Sequence, residues 1–218
     1  MSLAAVVFDL DYTLAVPDRD RQTLLDEATA AAGGRDIDRS EYLTEHQKNR
    51  ATETRTPIFE GLLSTGDPAE AARAYREGIN DALVPVDGVP ELVEELRTQY
   101  RVGLLTDGPV QAQQGKLETL GWTDLFDSVV VTGSLAAGKP DGRAFEAVLG
   151  ELGVAAGAAV YVGDNPDADI RGAKDAGMVA VQVLGDRFER APEADGYIDR
   201  DQLADDLRAF LSQQAGWR

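Results

Sequence analysis

Cysteine is absent from the 218 residues, and histidine occurs once, at His46. The first absence excludes a disulfide framework, thiolate metal ligation and a cysteine nucleophile. The lone histidine, with no G-x-S-x-G segment, leaves no serine-histidine triad. G-x-G-x-x-G is missing, and no lysine follows a glycine-rich turn, so nucleotide folds of those types are unsupported. Neither acidic cluster described below has the glycine and glutamate spacing of an EF-hand. Nowhere does an apolar run reach membrane-spanning length, and "MSLAAVVFDL" lacks a basic segment ahead of an apolar one. The expectation is a soluble, cytoplasmic protein.

Positive charge is also in short supply. There are 39 acidic against 21 basic residues, a formal charge of -18. Such a surface repels nucleic acid and anionic membranes, so neither is an expected partner. A phosphate-bearing substrate fits only where a metal and local cations reverse the sign inside one pocket. Lysine appears at positions 48, 116, 139 and 174 only. An Asp-rich, Lys-poor chain resembles proteins of salt-loaded cytoplasms, where a Debye length of about 3 Å at 1 M tolerates dense negative charge.

What is present is an α/β rhythm. Hydrophobic residues make up 43% of the chain, enough for one α/β domain with an insertion, or for two small domains. "LAAVVFDL" reads as a strand buried on both faces. Residues 16–84 read as helices instead. "RQTLLDEATAAAGG" stops at a glycine pair, "DRSEYLTEHQKNRA" opens with Asp38 and Glu41 at capping-box spacing, and "GDPAEAARAYREGINDAL" opens with Asp67 and Pro68. From Pro85 short apolar strands ("RVGLLTDG", "SVVVTG", "AAVYVGD", "MVAVQVLG") alternate with helices, and an amphipathic helix bearing Leu203, Leu207, Phe210 and Leu211 closes the chain. This predicts a doubly wound parallel sheet formed by residues 1–15 and 85–218, with residues 16–84 as a helical insertion.

Ligands of open parallel sheets bind beyond the carboxyl ends of the strands, and four such ends carry polar residues here. In "DLDYT", alternation along an extended chain points Asp9 and Asp11 the same way. Two close carboxylates need a cation or a shared proton. "LLTDG" offers the Thr106 hydroxyl and the following backbone N–H groups to an oxyanion. "AGKPDGRAF" places Lys139, one of few lysines, just ahead of a helix. "VYVGDNPDAD" ends in Asp164 and Asp169, oxygen donors of the kind that hard divalent ions prefer. In the insertion, Tyr42, His46 and Arg50 are spaced by four, which predicts one helix face for substrate selection.

In order, spacing and position, "DLDYT", "LLTDG", "GKPD" and "GDNPDAD" resemble the four motifs of the haloacid dehalogenase-like hydrolases. "LGWTDLFDSVVVTG" and "DIRGAKDAGM" resemble the phosphoglycolate phosphatase-like branch, whose helical cap follows the first strand. The resemblance implies an Mg²⁺-dependent phosphatase acting on a small phosphate ester. It implies Asp9 as nucleophile, Asp11 as acid and base, and Thr106, the N–H of Asp107 and Lys139 around the phosphoryl oxygens. Metal ligation is implied for Asp9, the Asp11 carbonyl and Asp164, with Asp169 bound through water or orienting its neighbours. Tyr12 and Asp107 depart from the glycine and asparagine usual at those places. A phosphosugar mutase shares all four motifs and stays open. A 2-haloacid dehalogenase is disfavoured by Asp11 and Asp164. A non-catalytic phosphoacceptor is disfavoured by the insertion and by the position of Asp9 after the first strand.

Overall fold

The computed structural model describes residues 2–49 and 51–215. Six parallel strands form one sheet: β1 (Ala5–Phe8), β4 (Arg101–Thr106), β5 (Ser128–Val131), β6 (Ala159–Gly163), β7 (Val179–Leu184) and β8 (Gly196–Asp199). Their spatial order is β5-β4-β1-β6-β7-β8. The chain therefore starts in the middle, builds outward through β4 and β5, and returns to build the other half. The strand order reverses between β1 and β6, the place where a doubly wound sheet opens a crevice at its carboxyl edge.

Alternation in β1 shows why the sheet needs two covering layers. Val6 and Phe8 enter one core with α5 (Val89–Arg97) and α9 (Leu203–Ala215), and Ala5 and Val7 enter a second with α7 (Gly142–Leu152). In α9, Leu203, Leu207 and Leu211 are buried, and Phe210 packs beside them half-buried.

The insertion has its own core. Helices α1 (Arg21–Ala31), α2 (Arg39–Lys48), α3 (Thr56–Leu62) and α4 (Pro68–Asp81) bury Leu24, Leu25, Ile58, Phe59, Tyr75 and Ile79 against one another. Each of the expected starts is capped. Asp20, Asp38 and Asp67 accept hydrogen bonds from the N–H groups one turn in. The insertion joins the sheet domain through a two-stranded antiparallel ribbon, β2 (Ala15–Pro17) with β3 (Leu83–Pro85). Its three-residue strands are too short to show a period in sequence. Strand β8 was likewise not anticipated: in "GYID" only Ile198 is buried. The "DIRGAKDAG" helix begins instead as a π-helical stretch, Pro166–Arg171, before α8 (Gly172–Asp175). Among the described residues no helix is long and apolar enough to cross a membrane.

Candidate active site

Asp9 leaves the carboxyl end of β1, and Asp164 leaves that of β6, the strand paired with it in parallel. The two carboxylates stand on either side of the switch point. Asp169 joins them from the π-helical stretch, and all three carboxylate groups are buried with ligand oxygens within 4.8 Å of one another. Asp169 comes so near because of Gly163: a Cβ there would lie 2.6 Å from its carboxylate. The Asp169 Oδ2 is fixed by the N–H of Asn165 at 2.9 Å.

Three buried carboxylates at such distances repel, and a buried cation answers two of them. Lys139 Nζ donates to Asp9 Oδ1 and to Asp169 Oδ1, each at 2.7 Å, and to the Tyr161 hydroxyl at 3.0 Å. Burial disfavours the ammonium, but Asp169 and Asp9 outweigh it and hold its pKa well above the usual value. Burial pushes the Asp9 carboxyl well up, against the pull of Lys139, with Asp169 and Asp164 adding to the rise. Asp164 is pushed up to about 7 by burial and then by Asp169, against Arg187, which donates to its Oδ2 at 3.0 Å. The cluster is short of positive charge. Buried, closely spaced carboxylate oxygens form the donor set of a hard divalent cation, so these residues fit Mg²⁺.

Asp11 belongs to a different electrostatic neighbourhood. Lys116, buried on α6 (Val110–Leu120), donates to its two oxygens at 2.7 and 2.5 Å. Gln113 adds a bond at 3.0 Å, and Arg21 one at 3.4 Å. Burial opposes ionisation of Asp11, but Lys116 and Arg21, with the hydrogen bonds from Lys116 and Gln113, hold its carboxyl far below the usual range. Lys116 in turn is lowered to about 8 by burial, against Asp11. The two carboxylates, one residue apart, share no lysine: Asp9 contacts Lys139 and Asp11 contacts Lys116.

Thr106 ends β4, fully buried, and its hydroxyl accepts a short hydrogen bond from Gln113. The Asp107 side chain fastens the loop that carries Lys139. It accepts from the Thr132 hydroxyl at 2.9 Å and from the Lys139 N–H at 3.1 Å. Tyr12 has φ +64, the left-handed conformation that makes glycine the usual occupant. Its ring compensates by lying 3.8 Å under the Arg187 guanidinium, which bridges onward to Asp164.

In the insertion, Tyr42 is buried and accepts from Arg55 Nε at 3.1 Å, while His46 stacks on the Tyr42 ring at 6.0 Å. Helix α2 ends at Lys48, and Arg50 lies outside the described residues. Sequence reasoning passed over Lys116, Gln113, Arg21 and Arg187. Lys116 alone carried a signal, in that the chain has only four lysines.

The haloacid dehalogenase-like hydrolase family profile matches residues 3–177. The chain belongs to this family. Phosphoserine phosphatase of Thermus thermophilus is 37% identical over 71% of the chain, the match spanning 62% of that relative. Glyceraldehyde 3-phosphate phosphatase of Methanopyrus kandleri is 30% identical over 86% of each protein. Among solved structures, a haloacid dehalogenase-like phosphatase from Thermococcus onnurineus superposes with a TM-score of 0.72 at 28% identity, covering 96% of this chain and 98% of that one.

Proposed function

We propose that the chain is a phosphoric monoester phosphatase that uses Mg²⁺ and works through an aspartyl-phosphate on Asp9. The observation that carries this reading is the Asp9 carboxylate at the switch point, buried beside Asp164 and Asp169 and touching one cation, Lys139. The phosphatase names of the relatives point the same way. An Asp9 oxygen attacks phosphorus in line while the ester P–O bond breaks, and the leaving oxygen takes a proton from Asp11. Water then attacks phosphorus of the acyl phosphate and gives its proton to Asp11, freeing inorganic phosphate and Asp9. Lys139, the Thr106 hydroxyl and the Asp107 N–H hold the phosphoryl oxygens meanwhile. Asp9, Asp164 and the Asp11 carbonyl, with Asp169 beside them, would hold Mg²⁺, which would supply Lewis-acid neutralisation of the phosphoryl charge. Residues 16–84 serve as a cap that excludes water and reads the leaving group.

Phosphate release from a small ester is expected to require Mg²⁺ and to stop on chelation. Metal binding competes with the proton on Asp164, whose carboxyl is raised to about 7. The raised value also means that the metal-free fold loses stability as pH climbs towards that value. By that competition Mg²⁺ affinity should weaken at least about tenfold per pH unit below about 7. Titration calorimetry from pH 5 to 8 checks this, and a flat affinity together with chelator-resistant turnover removes the reading.

The ion pair of Asp11 with Lys116 sets when Asp11 can carry a proton. Ionised as it stands, Asp11 is ready as a base, and it donates only once loosened from Lys116 and Arg21. Lys116→Met should raise the Asp11 pKa, move the acid limb of kcat to higher pH and lower kcat about 10- to 100-fold. A lower kcat with an unmoved limb would assign Lys116 to packing alone.

A further inference from the structure

The cavity above the candidate site, about 170 Å³, is lined by Arg21, Arg39, Arg55, Lys116 and Arg187 in a chain whose net charge is -18. Three of these cations have carboxylate partners: Arg21 and Lys116 on Asp11, and Arg187 on Asp164. Arg39 and Arg55 pair with none among the described residues. Two tyrosines hold them instead, in a crossed arrangement. Arg55 Nε donates to the Tyr42 hydroxyl at 3.1 Å and its guanidinium lies 5.5 Å from the Tyr75 ring centre. Arg39 Nη1 donates to the Tyr75 hydroxyl at 3.1 Å and lies 5.0 Å from the Tyr42 ring centre. The two rings meet edge to face at 5.2 Å.

Tyrosine hydroxyls and ring faces orient a guanidinium without cancelling its charge. Arg55 is 8% exposed, and its Nη1 is buried with no hydrogen-bond partner. A buried, unpartnered guanidinium nitrogen is costly and persists where an absent anion completes it. Arg55 lines the same cavity as Asp11 and Lys116. The scissile phosphate already has Lys139 and the strand-end donors, so it does not account for Arg55.

We propose that Arg55, oriented with Arg39 by the Tyr42–Tyr75 pair, receives a second anionic group on the leaving group, a carboxylate or a second phosphate. The substrate class is then a doubly anionic small phosphate ester. This rests on the phosphatase reading above and narrows it.

Matched three-carbon esters separate the arms: glycerol 1-phosphate, 3-phosphoglycerate and propane-1,3-diol bisphosphate, each with Mg²⁺. The wild-type kcat/KM for one of the anionic pair should exceed that for glycerol 1-phosphate about 10- to 100-fold, the span of a charge-assisted hydrogen bond. Whichever of the two leads identifies the group as carboxylate or phosphate. Arg55→Gln should collapse that ratio, chiefly through KM, and Arg55→Lys should restore part of it. Should Arg55→Gln fail to fold by circular dichroism, Arg39→Gln, at a half-buried position, carries the same test of the ratio. Release of phosphate from all three esters at similar efficiency, or a ratio that survives these substitutions, overturns the anion site and leaves the phosphatase reading standing. No release from any ester overturns both.

Discussion

Asp9→Asn is expected to lower phosphate release by at least about 10⁴-fold while leaving the fold slightly more stable. The activity loss follows from removing the attacking oxygen, since loss of a covalent nucleophile is among the most severe of single substitutions. Stability should move the other way because burial makes a charged Asp9 unfavourable, and Asp169 and Asp164 add to that repulsion. An amide keeps an oxygen for Lys139, which now sits 2.7 Å from Asp9 Oδ1, and brings no charge. A gain of about 1 kcal/mol, or about 2–4 °C in Tm for a chain of this size, is expected without metal. Added Mg²⁺ should stabilise the variant less than the wild type. Activity above a thousandth of wild type, after exclusion of a contaminating phosphatase, would falsify the nucleophilic role.

Lys139→Met has the opposite signature, losing both activity and stability. Lys139 is 3% exposed and contacts two carboxylates and the Tyr161 hydroxyl. Its removal strands Asp9 and Asp169 together in a dry site, and breaking a buried pair from one side costs about 3–5 kcal/mol. That corresponds to roughly 10 °C in Tm. Phosphate release should fall by at least about 10²-fold through the lost stabilisation of developing negative charge. Millimolar Mg²⁺ should recover part of the Tm, because a divalent ion offsets the same carboxylates. A Tm within two degrees of wild type, read by differential scanning calorimetry, would mean that Lys139 is not what compensates the cluster.

The strand-end candidates were readable because the apolar pattern already marked the strands that lead to them. Asp9, Thr106 and Asp164 follow runs such as "AVVF" and "AVYVG", whose buried residues locate the carboxyl edge of a parallel sheet. Asp169 follows from its spacing to Asp164. Lys116 and Gln113 were not legible as site residues. They lie on a helix, and a helix in sequence does not disclose which of its polar residues turns under a distant strand end. Arg187 sits outside regular structure, and only the fold brings it to Asp164, 23 positions away in sequence. Strand β8 escaped notice because an edge strand needs just one buried side chain to hold its register.

By itself the sequence determined the class of fold and marked the helices and the acidic residues at the strand ends, since period, capping and strand-end composition are local properties. Tertiary structure alone decided which lysine neutralises which carboxylate, and that two arginines of the insertion face the cavity with tyrosines in place of counter-ions. Those are matters of distance between segments up to 130 positions apart. Coulomb energy and desolvation depend on that separation in space, and the order of residues along the chain does not encode it.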